Sequence, residues 1–215
     1  MYKSVIFDLD GTLLDTLDDL MNAVNFALRE FSFPERSRAE IRSFIGNGVI
    51  KLMERSTPAG TDSITQEKCL SCFRSYYLEH MADNTAPYKG VISLLERLKN
   101  EGITTAVVSN KLHSAVVGLC EDYFPSLIDI PLGVAEEKER KPSPFNVFRA
   151  LEILSSDKEN TIYVGDSNVD VETAHRASLK CIGVTWGFRD REELEAHCCD
   201  FIADTAKEVL ELILK

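Results

Sequence analysis

The sequence predicts an α/β protein: a Rossmann-like three-layer sandwich with a parallel sheet, into which an all-helical domain is inserted. Two observations lead to this fold class. Short apolar runs rich in β-branched residues alternate with segments of helical periodicity, as expected when crossover helices connect parallel strands. One long stretch interrupts this alternation with helical patterns only. A chain of 215 residues can bury the core that such a fold needs.

Apolar runs bounded by polar or turn residues predict the strands of the sheet. The expected strands are residues 4–7, 104–108, 127–130, 161–164, 181–185 and a short last one, 201–202. Between them, Leu94, Leu95 and Leu98 mark a helix that ends before Gly102, because glycine commonly terminates helices. Apolar residues at similar spacing predict helices within residues 145–154 and 209–214.

Residues 15–86 contain helical patterns and no convincing strand. The first pattern has apolar residues at helical spacing: Leu17, Leu20, Met21, Val24 and Leu28. Ser37 and Glu40 form the pattern of a capping box at the start of a second helix. Because a crossover needs only about a dozen residues, this segment is more than a connection. We therefore expect a helical domain at residues 15–86 and an α/β core formed by residues 1–14 and 87–215.

The overall charge excludes several classes of partner. The chain has 24 Lys and Arg against 35 Asp and Glu, a formal net charge of −11. The negative electrostatic field of such a chain repels polyanions, so we expect neither nucleic acid nor an anionic membrane surface as a partner. No apolar run is long enough to span a bilayer, the N-terminus lacks a signal-peptide layout, and the cysteines are scattered. These features favour a cytoplasmic protein, either a monomer or a homodimer.

Polar side chains stand at four places where strands end or helices begin. Asp8-Leu9-Asp10-Gly11-Thr12 follows the first predicted strand, and Ser109-Asn110-Lys111 follows the second. Lys141 precedes a predicted helix, and Asp166 to Asp170 follow Val164-Gly165. In a parallel sheet, ligands gather at the carboxyl ends of the strands, so we expect these groups to converge.

The chemistry of these groups indicates a phosphate and a hard divalent cation. Crowded carboxylates repel one another unless a cation neutralises them, and Mg²⁺ prefers carboxylate, carbonyl and water oxygens. A hydroxyl, a lysine and backbone N–H groups of a glycine-containing turn can form an anion cradle. A metal, an anion cradle and an acidic nucleophile together suit phosphoryl transfer through an aspartyl phosphate.

The same residues resemble the motifs of the haloacid dehalogenase-like hydrolase superfamily. The segment from Phe7 to Leu13 resembles its first signature, and Ser109, Lys141 and Gly165-Asp166-Ser167-x-x-Asp170 resemble the other three. The resemblance implies that Asp8 is the nucleophile and that Asp10 is the general acid and base. An acid at position 10 favours a phosphate substrate, because a halide leaves without a proton.

The resemblance also implies two sets of ligands. Mg²⁺ would be bound by Asp8, the main-chain carbonyl of Asp10, Asp166 and, directly or through water, Asp170. The phosphoryl oxygens would be bound by Ser109 and Lys141, with Asn110 and the turn residues Gly11 and Thr12 beside them. The substrate is then a small phosphorylated metabolite, and the inserted helical domain is a cap.

The loop Phe44-Ile45-Gly46-Asn47-Gly48, followed by Lys51, resembles the cap of phosphoglycolate phosphatases. We expect Gly46, Asn47, Gly48 and Lys51 to contact an anionic substrate, although the glycines equally suit a purely structural turn. On this basis 2-phosphoglycolate is the best single substrate. The segment before Lys141, residues 132–137, lacks the Gly/Asp-rich turn common in relatives. This difference affects the prediction of the substrate more than the prediction of the reaction.

Three other functions fit the same motifs. A phosphosugar mutase would use the same aspartyl phosphate without releasing inorganic phosphate. A pyrophosphatase or nucleotidase would hydrolyse a different phosphate compound. An inactive phosphate-binding interaction protein is disfavoured, because Asp8, Asp10, Lys141 and Asp166 are all intact.

Overall fold

The computed structural model describes residues Met1–Lys215 and contains eight strands and ten α-helices. The strands are β1 Ser4–Phe7, β2 Leu14–Asp15, β3 Ala86–Pro87, β4 Thr104–Leu112, β5 Ile130–Val134, β6 Thr161–Gly165, β7 Lys180–Val184 and β8 Phe201–Ala203. The helices are α1 Leu17–Glu30, α2 Arg38–Phe44, α3 Gly48–Ser56, α4 Ser63–His80, α5 Val91–Asn100, α6 His113–Tyr123, α7 Phe145–Leu154, α8 Asn168–Arg176, α9 Arg191–Ala196 and α10 Ala206–Leu214.

Six of the strands form one parallel sheet in the order β5-β4-β1-β6-β7-β8. β1 lies in the middle, and its last residue, Phe7, is in register with Val107 of β4 and Val164 of β6. The residues that follow these three strands therefore meet at one edge of the sheet. The chain moves from β1 to one side and later to the other, which makes this edge a topological switch point.

Helices cover both faces of the sheet, because successive side chains of a strand point to opposite faces. Val5 and Phe7 pack into a buried cluster with residues of α5, α6 and α10. Ile6 packs into a second cluster with residues of α7, α8 and α9. The predicted fold class, a three-layer α/β sandwich with a parallel sheet, is confirmed.

The strand predicted at residues 127–130 was wrong, because β5 begins only at Ile130. Leu127 belongs to a turn, in which its N–H donates to the carbonyl of Phe124 at 2.9 Å. The Asp129 carboxylate accepts the N–H of Thr105 at 2.7 Å, just before the strand starts. β5 includes Pro131 and lies at the edge of the sheet, where proline is tolerated.

The second predicted strand is longer than expected. β4 continues from Val108 to Leu112, and its pairing with β5 shifts register between those two residues. Such irregularities re-aim side chains and are common next to active sites. Ser109, Asn110 and Lys111 lie in this irregular segment.

The contacts of the chain divide it into two compact units, one of Met1–Leu14 and Pro87–Lys215 and one of Asp15–Ala86. The second unit contains α1 to α4, and the two short strands β2 and β3 lie where the units divide. The capping box predicted at α2 is confirmed, with Ser37 as N-cap and Glu40 as its partner. None of the helices combines the length and apolar character needed to cross a membrane.

Within the helical unit, α1 packs against α4, and the rings of Phe26 and Tyr76 stack at 4.2 Å between centroids. A buried carboxylate on α1, Asp19, also anchors the segment after α4. It accepts hydrogen bonds from the N–H groups of Asn84 and Thr85 at 3.0 and 2.8 Å and from the Thr85 hydroxyl at 2.8 Å. Asp19 therefore joins the two ends of this unit.

We predict that Asp19→Asn lowers the free energy of unfolding by about 2 kcal/mol, because an amide cannot replace both acceptor oxygens of a buried carboxylate. Urea unfolding followed by circular dichroism measures this change. Asp18→Asn is the matched control, since Asp18 is exposed and pairs only at the surface with Arg38. Equal effects of the two substitutions would contradict this role for Asp19.

Candidate active site

The loop after β1 is a tight turn that closes on itself. The N–H groups of Thr12, Leu13 and Leu14 all donate to the carbonyl of Leu9, and Gly11 N–H donates to Leu14. Gly11 has a φ of +87°, and a Cβ there would lie 2.4 Å from Oδ2 of Asp166. Glycine is thus required at this position, both for the backbone conformation and for the close approach of Asp166.

The turn bears on the predicted anion cradle. The backbone N–H groups of Gly11 and Thr12 are paired within the turn, and the contact of these two residues with phosphate stays a prediction. The Thr12 hydroxyl donates to Oδ1 of Asp166 at 3.3 Å. The N–H of Asp10, by contrast, is not among the donors that close this turn. Sequence reasoning missed this donor, because turn closure decides which N–H groups remain.

Lys141 connects two of the three buried carboxylates of the site. Its Nζ lies 2.8 Å from Oδ1 of Asp8 and 2.7 Å from Oδ1 of Asp170, and its side chain is 3% exposed. Burial lowers the pKa of Lys141, but Asp170 and Asp8 raise it more, so the net pKa is above its ordinary value. Burial, together with Asp170, raises the pKa of Asp8 well above its ordinary value, although Lys141 opposes this. Because its own pKa is raised, Lys141 is charged at neutral pH.

Asn110 positions Lys141 through the backbone. Its Oδ1 accepts the N–H of Lys141 at 2.7 Å, and its Nδ2 donates to the Lys141 carbonyl at 3.3 Å. This reciprocal pair joins the irregular end of β4 to the segment before α7. The Asn110 amide thus has a structural partner that the sequence did not reveal, and its contact with phosphate stays a prediction.

Asp166 and Asp170 follow β6 but have different surroundings. Oδ2 of Asp166 accepts the N–H of Phe188 at 2.6 Å. Burial and then the charge of Asp170 raise the pKa of Asp166 to about 7. Asp170 is fully buried, and both of its oxygens have donors. Oδ1 accepts from Lys141 and the Tyr163 hydroxyl, and Oδ2 accepts from the N–H and hydroxyl of Ser167.

Tyr163 was missed in the sequence because it looks like an ordinary core residue of a strand. It is fully buried in β6, and its hydroxyl donates toward Asp170 at 3.2 Å and lies 3.5 Å from Lys141 Nζ. The polar end of this aromatic side chain thus fixes the carboxylate that supports Lys141. A tyrosine directly before the Val-Gly-Asp end of a strand is the only sequence signal for it.

The donor set fits a hard divalent cation. Carboxylate oxygens of Asp8, Asp166 and Asp170 lie within 4.8 Å of one another. Three carboxylates against the single ammonium of Lys141 leave two negative charges, which one divalent cation would balance. Asp8 and Asp166 are suited to hold it directly, whereas each oxygen of Asp170 already has two donors, and those of Oδ1 include the Lys141 ammonium. That the Asp10 carbonyl takes part stays a prediction.

Two further residues of the β4 end lie in the same unit. Ser109 is 2% exposed, and its hydroxyl oxygen accepts the N–H of Lys111 at 3.2 Å. Lys111, which the sequence analysis did not assign to the site, places Nζ 3.0 Å from Oδ1 of Asp10. The proposed acid therefore has its own lysine, separate from the one beside Asp8.

The predicted specificity residues Gly46, Asn47, Gly48 and Lys51 lie together at the start of α3. Arg55 fixes this loop by donating to the carbonyl of Phe44 at 2.7 Å and to Oδ1 of Asn47 at 2.8 Å. Lys51 is exposed and pairs with Glu54. Their contact with substrate stays a prediction.

Comparison with known proteins agrees with the motifs at the sheet edge. Residues 5–184 match the model of a family described as haloacid dehalogenase-like hydrolase. The chain belongs to this family. Membership confirms the resemblance on which the roles of Asp8, Asp10, Lys141 and Asp166 were predicted, although each role remains to be tested.

Similar members of the haloacid dehalogenase-like family span nearly the whole chain. A phosphoglycolate phosphatase of Aquifex aeolicus is 32% identical over 98% of this chain and 96% of its own length. Pyrophosphatase PpaX of Bacillus mycoides is 26% identical over 98% and 96%. A Lactobacillus delbrueckii protein, crystallised as a candidate phosphoglycolate phosphatase, superposes with a TM-score of 0.94 at 32% identity, covering 99% of this chain and 98% of its own.

The carboxylate cluster predicts a pH-dependent effect of Mg²⁺. The raised pKa values of Asp8 and Asp166 mean that the metal-free native state loses stability as pH rises from the unfolded value near 4 to about 7, where Asp166 ionises. Below about pH 6, protons compete with the cation for these oxygens. We therefore expect Mg²⁺ to raise the Tm clearly at about pH 8 and little at about pH 5.5.

Thermal unfolding with and without saturating Mg²⁺ measures this difference. The Asp166→Asn variant should lose most of the Mg²⁺-dependent shift at the higher pH. A shift of equal size at both pH values, or one larger in acid, would contradict the assignment of the cluster to a divalent cation.

Proposed function

We propose that this protein is a Mg²⁺-dependent phosphomonoester hydrolase that acts on a small phosphorylated metabolite through an aspartyl phosphate on Asp8. The observation that supports this most directly is the pairing of Asp8 with Lys141 at 2.8 Å, inside a buried cluster with Asp166. An ammonium beside the carboxylate opposes the effect of burial on the pKa of Asp8 and can also attract a phosphoryl group. The relatives named phosphatases support the same chemistry.

The reaction begins with attack of a carboxylate oxygen of Asp8 on phosphorus. Lys141 and Leu9 N–H both bind Oδ1, so we assign the attack to Oδ2. A new P–O bond forms to Asp8 while the bond from phosphorus to the leaving oxygen breaks. Asp10 donates a proton to that oxygen, and the leaving group departs as an alcohol.

Water then attacks phosphorus of the aspartyl phosphate, and Asp10 accepts a proton from it. The bond between phosphorus and Asp8 breaks, which releases inorganic phosphate and restores the carboxylate. Ser109, Lys141 and the N–H of Asp10 bind the phosphoryl oxygens during both steps. When bound, Mg²⁺ would be held by Asp8, Asp166 and the Asp10 carbonyl, and it would reduce the repulsion between the carboxylate and the phosphoryl group.

For the substrate we propose 2-phosphoglycolate, because relatives at 32% and 34% identity are named phosphoglycolate phosphatases. Pyrophosphate is the second candidate, since the PpaX relatives are named for it. In this proposal Gly46, Asn47, Gly48 and Lys51 contribute to specificity. We also propose that the protein acts in the cytoplasm.

We predict that purified protein releases inorganic phosphate from 2-phosphoglycolate in the presence of Mg²⁺, and that Asp8→Asn lowers kcat by about a thousandfold or more, since an amide cannot form the acyl phosphate. A colorimetric phosphate assay over several phosphorylated metabolites and pyrophosphate measures both.

Asp122→Asn is the matched control, because Asp122 is an exposed aspartate on α6. It should leave turnover unchanged. Wild-type turnover by Asp8→Asn, or turnover that EDTA does not reduce, would contradict the proposed function.

A further inference from the structure

The segment Trp186-Gly187-Phe188, just after β7, contacts two parts of the candidate active site. The N–H of Phe188 donates to Oδ2 of Asp166 at 2.6 Å. The indole Nε1–H of Trp186 donates to the carbonyl of Thr12, in the turn after β1, at 3.0 Å. This segment, the β7 loop, therefore joins the turn that follows β1 to the carboxylate that follows β6.

Thr12 closes these contacts into a ring. Its hydroxyl donates to Oδ1 of Asp166 at 3.3 Å, while its carbonyl accepts from Trp186. Each oxygen of Asp166 thus has a donor. One donor belongs to the β7 loop itself, and the other belongs to a residue whose backbone the β7 loop holds. The direction of the Asp166 carboxylate therefore depends on Trp186 through Thr12.

The packing around Gly187 shows that the β7 loop is built for this close approach. A Cβ at Gly187 would lie 2.3 Å from the carbonyl oxygen of Gly11 and 2.4 Å from Cβ of Asp166. Only glycine lets the two backbones come so near. The Trp186 ring is partly buried against the sheet and packs on Tyr88 at 6.4 Å between centroids. The indole is therefore held by its neighbours as well as by its N–H.

A fixed carboxylate binds a cation more tightly than a mobile one, because less freedom is lost on binding. Groups that hydrogen-bond to a metal ligand set its orientation, and their loss commonly weakens metal affinity by about 10–100-fold. Asp166 belongs to the carboxylate cluster that fits a divalent cation. The ring of hydrogen bonds acts on this ligand before any cation arrives.

We propose that Trp186 is a positioning residue for the divalent cation. By holding the carbonyl of Thr12, it keeps the Thr12 hydroxyl on Asp166 and so keeps that carboxylate aligned for the metal. This inference rests on the proposed function, which requires Mg²⁺, and it extends the cation site to a residue outside the four strand-end motifs. Trp186 acts through Thr12 and Asp166 and not on the reacting atoms.

Isothermal titration calorimetry with Mg²⁺ at about pH 8 tests this role in the wild-type protein and in Trp186→Phe, which keeps an aromatic ring and lacks the N–H donor. We expect the Kd for Mg²⁺ to rise about tenfold in the variant. The Mg²⁺ concentration that gives half-maximal phosphate release should rise in parallel. At saturating Mg²⁺, kcat should change by less than about threefold.

Thr185→Val is the matched control, because it removes a side-chain hydrogen bond from the neighbouring residue. The Thr185 hydroxyl pairs with Oδ1 of Asp204 at 2.6 Å, so this variant should leave the Kd for Mg²⁺ unchanged. Trp186 is also the single tryptophan of the chain. Replacement of tryptophan by benzothienylalanine, in which sulfur takes the place of the N–H, therefore removes only this donor and keeps the shape. It gives the same test if Trp186→Phe does not fold by circular dichroism.

Two results would overturn the inference. An unchanged Kd for Mg²⁺ without the indole donor, even with a lower Tm, would mean that the hydrogen bond is purely structural. An equal weakening by Thr185→Val would mean that any loosening of this segment has the same effect. Failure of the proposed function is a separate result, because wild-type protein would then release no phosphate above the Asp8→Asn blank, whatever the Kd values for Mg²⁺.

Discussion

The arrangement of the site depends on one ammonium group shared by two buried carboxylates. Lys141 Nζ contacts Asp8 after β1 and Asp170 in α8, and none of the three side chains is more than 10% exposed. Removing Lys141 would leave two buried carboxylates without their shared counter-charge, which proteins tolerate poorly. The ion pairs therefore bring three separate segments of the chain to one edge of the sheet and keep them there.

The surrounding residues determine how this arrangement can act. Asn110 fixes the backbone of Lys141, while Tyr163 and Ser167 occupy the oxygens of Asp170. Asp170 thereby holds Lys141 in place, whereas Asp8 and Asp166 are the carboxylates proposed to bind the phosphoryl group and the cation. The Asp10–Lys111 pair is a separate unit beside them. One lysine thus contacts the proposed nucleophile and the other contacts the proposed general acid.

Sequence reasoning succeeded where information is local and failed where it depends on three-dimensional partners. Asp8 and Asp166 could be found because they directly follow apolar strands, and parallel strands bring their ends together. The start of β5 was misplaced because Leu127 and Ile128 form an apolar run typical of a strand, although Leu127 closes a turn onto Phe124. The pairing of the Gly11 and Thr12 N–H groups within the turn could not be predicted, because turn closure decides their acceptors. Lys111 and Tyr163 show their roles only once β4, β5 and β6 are aligned.

The stereochemistry of phosphoryl transfer tests the central claim, nucleophilic attack by Asp8, most directly. The substrate would be a thiophosphate ester made chiral at phosphorus with oxygen isotopes, hydrolysed in isotopically labelled water with Mg²⁺. Attack by Asp8 followed by attack of water gives two inversions, so the account predicts overall retention of configuration in the thiophosphate product. Overall inversion would show that water attacks the substrate directly, and it would contradict an aspartyl phosphate on Asp8.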